Sequence, residues 1–564
     1  MSQIRFFAFG GLAEIGKNMF IVEVDGNLFI LDAGLKYPGS QLHGVEEIIP
    51  DYRNLVRVQD KIKGIFLSNA HEEHIGALSH ILKNLNVPIF ATKFTMEVIK
   101  EELKEEGYDL STLKMNIINQ NSIIKFGNVR ITFFNTTYCI PESVGIAIQT
   151  LKGSIVYTSD FTFVQSGDNN YQTDFGKISE LAEKNVLALI VESAGSTEPI
   201  VSVTSYELTH KLNSIFSNAT DRILVSLYSS DLFKIQNVID IAISHNKKIA
   251  IVGRKTQRKV DIAISQGYLK IPDDAFCSLK FIDDKTKNND KNLVVLVAGS
   301  RHEPFYMLQR MCKKSDKLIH VSSKDTVVIM TKPISGTEKI AAKTLDTLFR
   351  SDAKVEIIDK RLLPTSYANA DEVKMMISML KPKYIIPVIG EYNQQYNVRK
   401  LAMELTYDEK QVFLMDNGDV LSFSDQPFLS KNDIMVGELL IDGISTGDIN
   451  EFVVRDREIL AEDGVLLLVA HIDPVNKKII GDVEIVTKGF VYVSQSLDLL
   501  NSIKQEFSKV IAKHLSGKYV NWNEFKKESR SVISRFIFQE IKRNPITIPV
   551  LISVTDNKVE NSPI

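Results

Sequence analysis

Leu67-Ser68-Asn69-Ala70-His71-Glu72-Glu73-His74-Ile75-Gly76 lies between two apolar patterns of different period. Ahead of it, Ile62 to Leu67 read as a buried strand. Behind it, Ile75, Leu78, Ile81, Leu82 and Leu85 recur at helical spacing and read as one helix. Two histidines and two carboxylates therefore occupy a strand-to-helix turn. Imidazole and carboxylate are the ligand types of a zinc or manganese site, with further ligands needed from elsewhere in the chain. The same residues also fit a plain helix start with acidic groups near its positive end. Spacing alone leaves both readings open.

Outward from that turn, 564 residues are too many for one core and predict three or four domains. A hydrophobic fraction of 44% with 24% charged residues is that of a folded globular protein, which excludes large disordered parts. Cys139, Cys277 and Cys312 are few, scattered and odd in number, which points to a reducing cytoplasm and not to a disulfide framework. No cleavable leader and no run of about 20 apolar residues is visible, so the expectation is a cytoplasmic protein with no membrane partner. A net charge of −3 neither supports nor excludes RNA, because a basic channel can hide inside a balanced total.

In chain order, Met19 to Glu23 and Asn27 to Leu31 flank Asp25-Gly26 as a hairpin, closed by Asp32-Ala33-Gly34. Pro88 to Ala91, Val129 to Phe134 and Ser154 to Thr158 read as strands and Thr95 to Glu106 as a helix. From about Asp221 the pattern becomes regular strand-helix alternation: Arg222 to Leu227 then Leu232 to Ser244, Lys248 to Val252 then Thr256 to Gln266, Leu293 to Ala298 then Pro304 to Cys312, Val327 to Met330 then Thr337 to Phe349. That alternation predicts a doubly wound parallel sheet. The last hundred residues predict a small α/β module, with strands at Val465 to Val469, Ile479 to Ile485, Phe490 to Val493 and Val550 to Val554 and helices from Leu497 and Trp522.

The turn resembles the H-x-H-x-D-H-x-G signature of the metallo-β-lactamase hydrolases, and Ser159-Asp160-Phe161 resembles that family's G-D-F. Gly299-Ser300-Arg301-His302-Glu303-Pro304, Pro333-Ile334-Ser335-Gly336-Thr337-Glu338, Leu363-Pro364-Thr365-Ser366-Tyr367-Ala368 and Lys381-Pro382 through Pro387-Val388-Ile389-Gly390-Glu391-Tyr392 resemble ribonuclease J, a β-CASP member of that superfamily. The resemblance covers essentially the whole chain. It implies an α/β fold: a metallo-β-lactamase αββα sandwich (1–205 and 358–430) with an inserted β-CASP α/β domain (206–357), a linker (431–455) and a small C-terminal α/β domain (456–564).

On the family pattern several functional histidines are replaced. The first metal falls to Asn69, His71, Tyr138 and Asp160, of which His71 and Asp160 are competent. The second falls to Glu73, His74, Asp160 and the position of Ile389, which leaves three. The resemblance thus implies His71, Glu73, His74 and Asp160 as the surviving metal ligands, with Glu73 and Asp160 catalytic and Asn69, Tyr138 and Ile389 as degenerate ligand positions. Zinc or manganese is expected at one ion at most, or none. Substrate contacts are implied at Leu363, Pro364, Thr365, Ser366 and Tyr367, the last in place of a phosphate-contacting histidine, and at Ser230 and Ser300. A further family histidine falls at Phe233.

The function this implies is RNA maturation and decay, rRNA and mRNA alike, by a 5′-to-3′ exoribonuclease with some endonuclease action and weakened catalysis. The altered motif is most like that of a second ribonuclease J paralogue, whose partners are RNA and an active ribonuclease J in a hetero-oligomer, with a homodimer as a further form. A non-catalytic RNA-binding subunit is the alternative.

Overall fold

A computed structural model describes residues 3–39, 42–163, 171–198, 205–277, 291–334, 336–363, 366–443, 445–446, 451–473, 476–491, 496–516 and 521–554. The chain divides into two compact units, Met1–Gly39 with Glu46–Leu439, and Ser40–Val45 with Leu440–Ile564. Pro364, Thr365 and Ser335, from motifs singled out above, lie outside the described residues.

The first unit is built on two sheets. One has eight strands, in spatial order Phe428–Ser430, Val420–Phe423, Ile4–Gly10, Met19–Val24, Asn27–Leu31, Ile62–Phe66, Ile89–Thr92 and Met115–Ile118. The other has six: Tyr384–Val388, Val186–Glu192, Gly153–Tyr157, Val144–Thr150, Val129–Asn135 and Ile123–Phe126. Period-2 alternation sends successive side chains to opposite faces. Ile146 and Ile148 join Phe6, Phe20, Phe29 and Phe66 between the sheets, while Ala147 and Val156 face outward onto helices Phe175–Ala182, Ala370–Leu380 and Tyr392–Glu404. Helix Lys93–Glu105 buries Phe94, Met96, Val98 and Ile99, giving the four-layer arrangement its other flank.

Between Val186–Glu192 and Tyr384–Val388, which pair in parallel, the chain leaves to build a third sheet. Its five strands, Lys248–Val252, Leu293–Gly299, Ile223–Tyr228, Thr326–Ile329 and Lys354–Ile357, are all parallel. Leu293–Gly299 is buried at every residue, as a strand covered on both faces must be. The Arg222 guanidinium grips Asp325 through Nε at 3.0 Å and Nη2 at 2.8 Å, which pairs a charge that is otherwise costly to bury.

In the second unit Val465–Asp473 is the central strand, antiparallel to Lys478–Lys488 and parallel to Ile546–Ser553. Helices Leu497–Leu515 and Trp522–Ile541 supply Ile503, Phe507, Ile533 and Ile537 to a core under Leu466, Leu468 and Ala470. Among the described residues no helix is long and apolar enough to cross a membrane.

Two expectations are corrected. The single helix expected from Ile75 to Leu85 is two four-residue helices, Glu72–Ile75 and Leu78–Ile81, because Gly76 packs its backbone against Leu35. The strand expected at Phe490 to Val493 is absent where it is described. The preceding strand runs on to Lys488 and ends at Gly489 with φ +69°, and Phe490 turns into the core.

Candidate functional site

The carboxyl ends of neighbouring strands converge where ligands bind in open α/β sheets. Asp32 follows Asn27–Leu31, the histidine turn follows Ile62–Phe66, Ser159 and Asp160 follow Gly153–Tyr157, Glu192 ends its strand, and Ile389 follows Tyr384–Val388. The Asp32-Ala33-Gly34 turn lies flat on the histidine turn: Ala33 N donates to His74 O at 2.7 Å and Leu35 N to Glu72 O at 3.0 Å. A Cβ on Gly34 would meet the Glu73 carbonyl oxygen at 1.6 Å, so this approach needs glycine.

His74 is fully buried between two carboxylates. Its Nδ1 donates to Asp32 Oδ2 at 2.7 Å and its Nε2 to Asp160 Oδ2 at 2.8 Å. Burial opposes charge on the ring, but Asp160 and Asp32 outweigh it and hold the imidazolium well above the usual histidine range. Asp32 also accepts from Ser68 N at 2.8 Å, Ser68 Oγ at 2.9 Å and Tyr157 OH at 2.6 Å. Beside Asp160 stands Glu192, whose Oε1 accepts from Phe161 N at 3.2 Å and Ala368 N at 2.5 Å. Burial, then the Asp160 charge, push the Glu192 carboxyl well up. Asp160 Oδ1 and Glu192 Oε2 are both buried without a hydrogen-bond partner.

The remaining site residues are drawn together around this chain of contacts. His71 caps helix Glu72–Ile75 by accepting from Glu73 N at 3.4 Å, and its ring lies 6.2 Å from that of Tyr138 and 6.5 Å from that of His74. Asn69 Oδ1 accepts from His71 N at 2.8 Å, and Asn69 Nδ2 donates to Ser159 Oγ at 3.2 Å. The Tyr367 hydroxyl donates to Glu73 Oε2 at 3.3 Å. Burial pushes Glu73 up, and pushes Tyr138 and Tyr367 well above the usual phenol range, so both phenols stay neutral. Ile389 is buried in the apolar core with φ +50°.

Of the expected substrate contacts, the Ser300 hydroxyl donates to Glu72 Oε1 at 2.7 Å, Leu363 is buried and Ser366 half-buried. Ser230 precedes helix Leu232–Ser244, whose Phe233 N donates to Cys139 O at 3.4 Å. This brings the Phe233 turn beside Tyr138. Three site residues escaped the sequence reading. Glu192 closes the otherwise apolar run Val186 to Val191, and a lone carboxylate ending a fully buried strand was the available signal. Asp32 was visible only as a turn residue, and Glu72 only as one of the two carboxylates of the histidine turn, with no role of its own.

A two-sheet sandwich with helices outside, a parallel α/β domain inserted before its last core strand and a histidine-carboxylate cluster at the strand ends define a metallo-β-lactamase fold of the β-CASP class. Residues 220–348 match the family described as Ribonuclease J, beta-CASP domain, and residues 452–554 the Ribonuclease J C-terminal domain. Over 548 residues the chain is 36% identical to Ribonuclease J 2 of Staphylococcus aureus (strain NCTC 8325 / PS 47) and 35% to Ribonuclease J 2 of Staphylococcus epidermidis, covering 97% of this chain and 98% of either relative. A solved structure of a protein of unknown function from Enterococcus faecalis V583 superposes with a TM-score of 0.52 at 13% identity, over 75% of this chain and 100% of that one, and shows the fold alone. The chain belongs to the ribonuclease J family, and its role is that of a ribonuclease J type protein in RNA processing.

Ribonuclease J proteins are metal-dependent, so the donor set must be tested against a divalent ion. It does not fit as it stands. Among the described residues no three His, Cys, Asp or Glu side chains gather as an ion requires. The His74 ring nitrogens lie 2.7 Å from Asp32 Oδ2 and 2.8 Å from Asp160 Oδ2, so this imidazole faces carboxylates on both sides. Asn69 is spent on a turn, and Tyr138 keeps its proton.

Proposed function

We propose that this chain acts on RNA as a ribonuclease J of weak intrinsic catalysis, a 5′-to-3′ exoribonuclease with some endonuclease action in rRNA maturation and mRNA decay. The observation that carries this reading is the engagement of both His74 nitrogens by Asp32 and Asp160, 2.7 and 2.8 Å away. A metal-assisted phosphodiesterase uses a bound ion to make hydroxide and to clamp the charge that builds on phosphate. Of the residues inherited for that task, His71, Glu73 and Asp160 remain, with Glu73 and Asp160 the catalytic candidates. Moving a carboxylate by about 1 Å, as the extra methylene of Glu73 does relative to aspartate, can cost about a hundredfold in rate.

The same engagement of His74 favours a second reading, in which the chain is a non-catalytic, RNA-binding subunit in the cytoplasm that assembles with an active ribonuclease J paralogue. Asp160→Ala separates the two. Loss of residual RNA degradation by the purified chain supports the enzyme. Activity unchanged by that substitution in a mixed complex with the active paralogue supports the subunit.

A further inference from the structure

The side chains at the old metal positions are not idle, and what they bond to lies on the other sheet. Asp32, Ser68, Asn69 and His74 all follow strands of the eight-stranded sheet, whereas Tyr157, Ser159 and Asp160 belong to the end of Gly153–Tyr157 in the six-stranded sheet. Four hydrogen bonds cross between them: His74 Nε2 to Asp160 Oδ2 at 2.8 Å, Tyr157 OH to Asp32 Oδ2 at 2.6 Å, Ser159 Oγ to Ser68 Oγ at 2.7 Å and Asn69 Nδ2 to Ser159 Oγ at 3.2 Å. All seven residues are buried. We propose that this cluster is a structural seam that ties the two sheets together at the mouth of the cleft, in place of bound ions. The proposal rests on the reading that ions are displaced from this site.

The seam depends on a matched pair. Ser159 stands where the resembling motif has glycine and holds φ +56°, a conformation that glycine adopts freely and serine does not. Its hydroxyl offsets that strain by donating once, to Ser68, and accepting once, from Asn69, which uses its hydrogen-bonding capacity without remainder on the donor side. Asn69 in turn stands where the motif has histidine. With glycine at 159 the Asn69 amide would lose that acceptor, and with alanine at 69 the Ser159 hydroxyl would lose that donor. The two replacements therefore make one bond that neither makes alone, while Asn69 Nδ2 also donates to Ser68 Oγ at 3.3 Å and the Ser159 hydroxyl donates to that same oxygen, so each single change removes the shared bond and leaves the rest of the seam in place.

The test is a double-mutant cycle of Asn69→Ala and Ser159→Gly in the full chain, read by urea unfolding in buffer with and without EDTA. The expected result is a non-additive folding constant, the two singles together costing at least about fivefold more than the double variant, and a wild-type midpoint that EDTA does not move. Effects that multiply to within twofold overturn the proposal. So does a wild-type midpoint that EDTA lowers and zinc restores, a measurement that needs no variant to fold. An additive cycle leaves the weak-catalysis reading standing, since that reading falls only to brisk RNA degradation by the isolated protein.

Discussion

Lys259 Nζ lies 3.4 Å from Glu72 Oε1, and this contact joins the histidine turn of the sandwich to helix Arg254–Ser265 of the inserted domain. Ser300 and Tyr37 donate to the same carboxylate. Burial opposes ionisation of Glu72, yet Lys259 and these donors bring its pKa to about 2. A depressed carboxylate stabilises the fold above its ordinary pKa and loses that contribution as pH falls through the folded value.

Glu72→Gln is expected to cost about 2–3 kcal/mol at pH 7, somewhat below the range for breaking a fully buried pair, because the Glu72 side chain is 21% exposed. Urea unfolding checks this, and the wild-type advantage should shrink between about pH 4.5 and pH 2. Lys259→Met, which leaves Glu72 its hydroxyl donors, should cost less.

Ile389 holds φ +50° inside the apolar core, a conformation rare for a β-branched residue. Glycine is ordinarily worse than alanine in ordered backbone by about 0.5–1 kcal/mol. Here the order should invert. Ile389→Gly is expected to be more stable than Ile389→Ala by about 1 kcal/mol, although both fall below wild type through lost packing. Urea midpoints of the two variants decide it.

Restoring histidine together at 69, 138, 367 and 389 should return the imidazoles the cleft lacks. Histidine tolerates the left-handed backbone at 389 better than isoleucine does. The expected gain in exonuclease rate is at least about tenfold, equivalent to about 1.4 kcal/mol of barrier, with bound zinc rising in parallel. Adding Ser159→Gly to the four should raise both further, because Asn69, which donates to the Ser159 hydroxyl, is then gone and Ser159 keeps its backbone strain.

Much of this was readable from residue order. The alternation from Asp221 to Phe349 gave strands and helices close to those observed because each parallel strand, such as Leu293–Gly299, is apolar throughout and bounded by turn residues. Helix Glu451–Glu462 was not read as a helix, and the expected boundary between linker (431–455) and C-terminal domain (456–564) falls inside it. In the cleft, the family resemblance picked out His71, Glu73, His74 and Asp160, and the structure places them near one another. What residue order could not show is direction. That His74 faces a carboxylate on each side, that Asn69 meets Ser159 from the other sheet, and that Glu192 stands beside Asp160 all depend on strands brought together from well apart in the chain.

The most direct test is elemental analysis of the pure protein beside an exonuclease assay on 5′-monophosphorylated RNA, run alone and mixed with an active ribonuclease J paralogue. The account predicts well under one divalent ion per chain and slow degradation by the isolated protein. Two tightly held ions per chain, in a protein that digests RNA rapidly by itself, would contradict it.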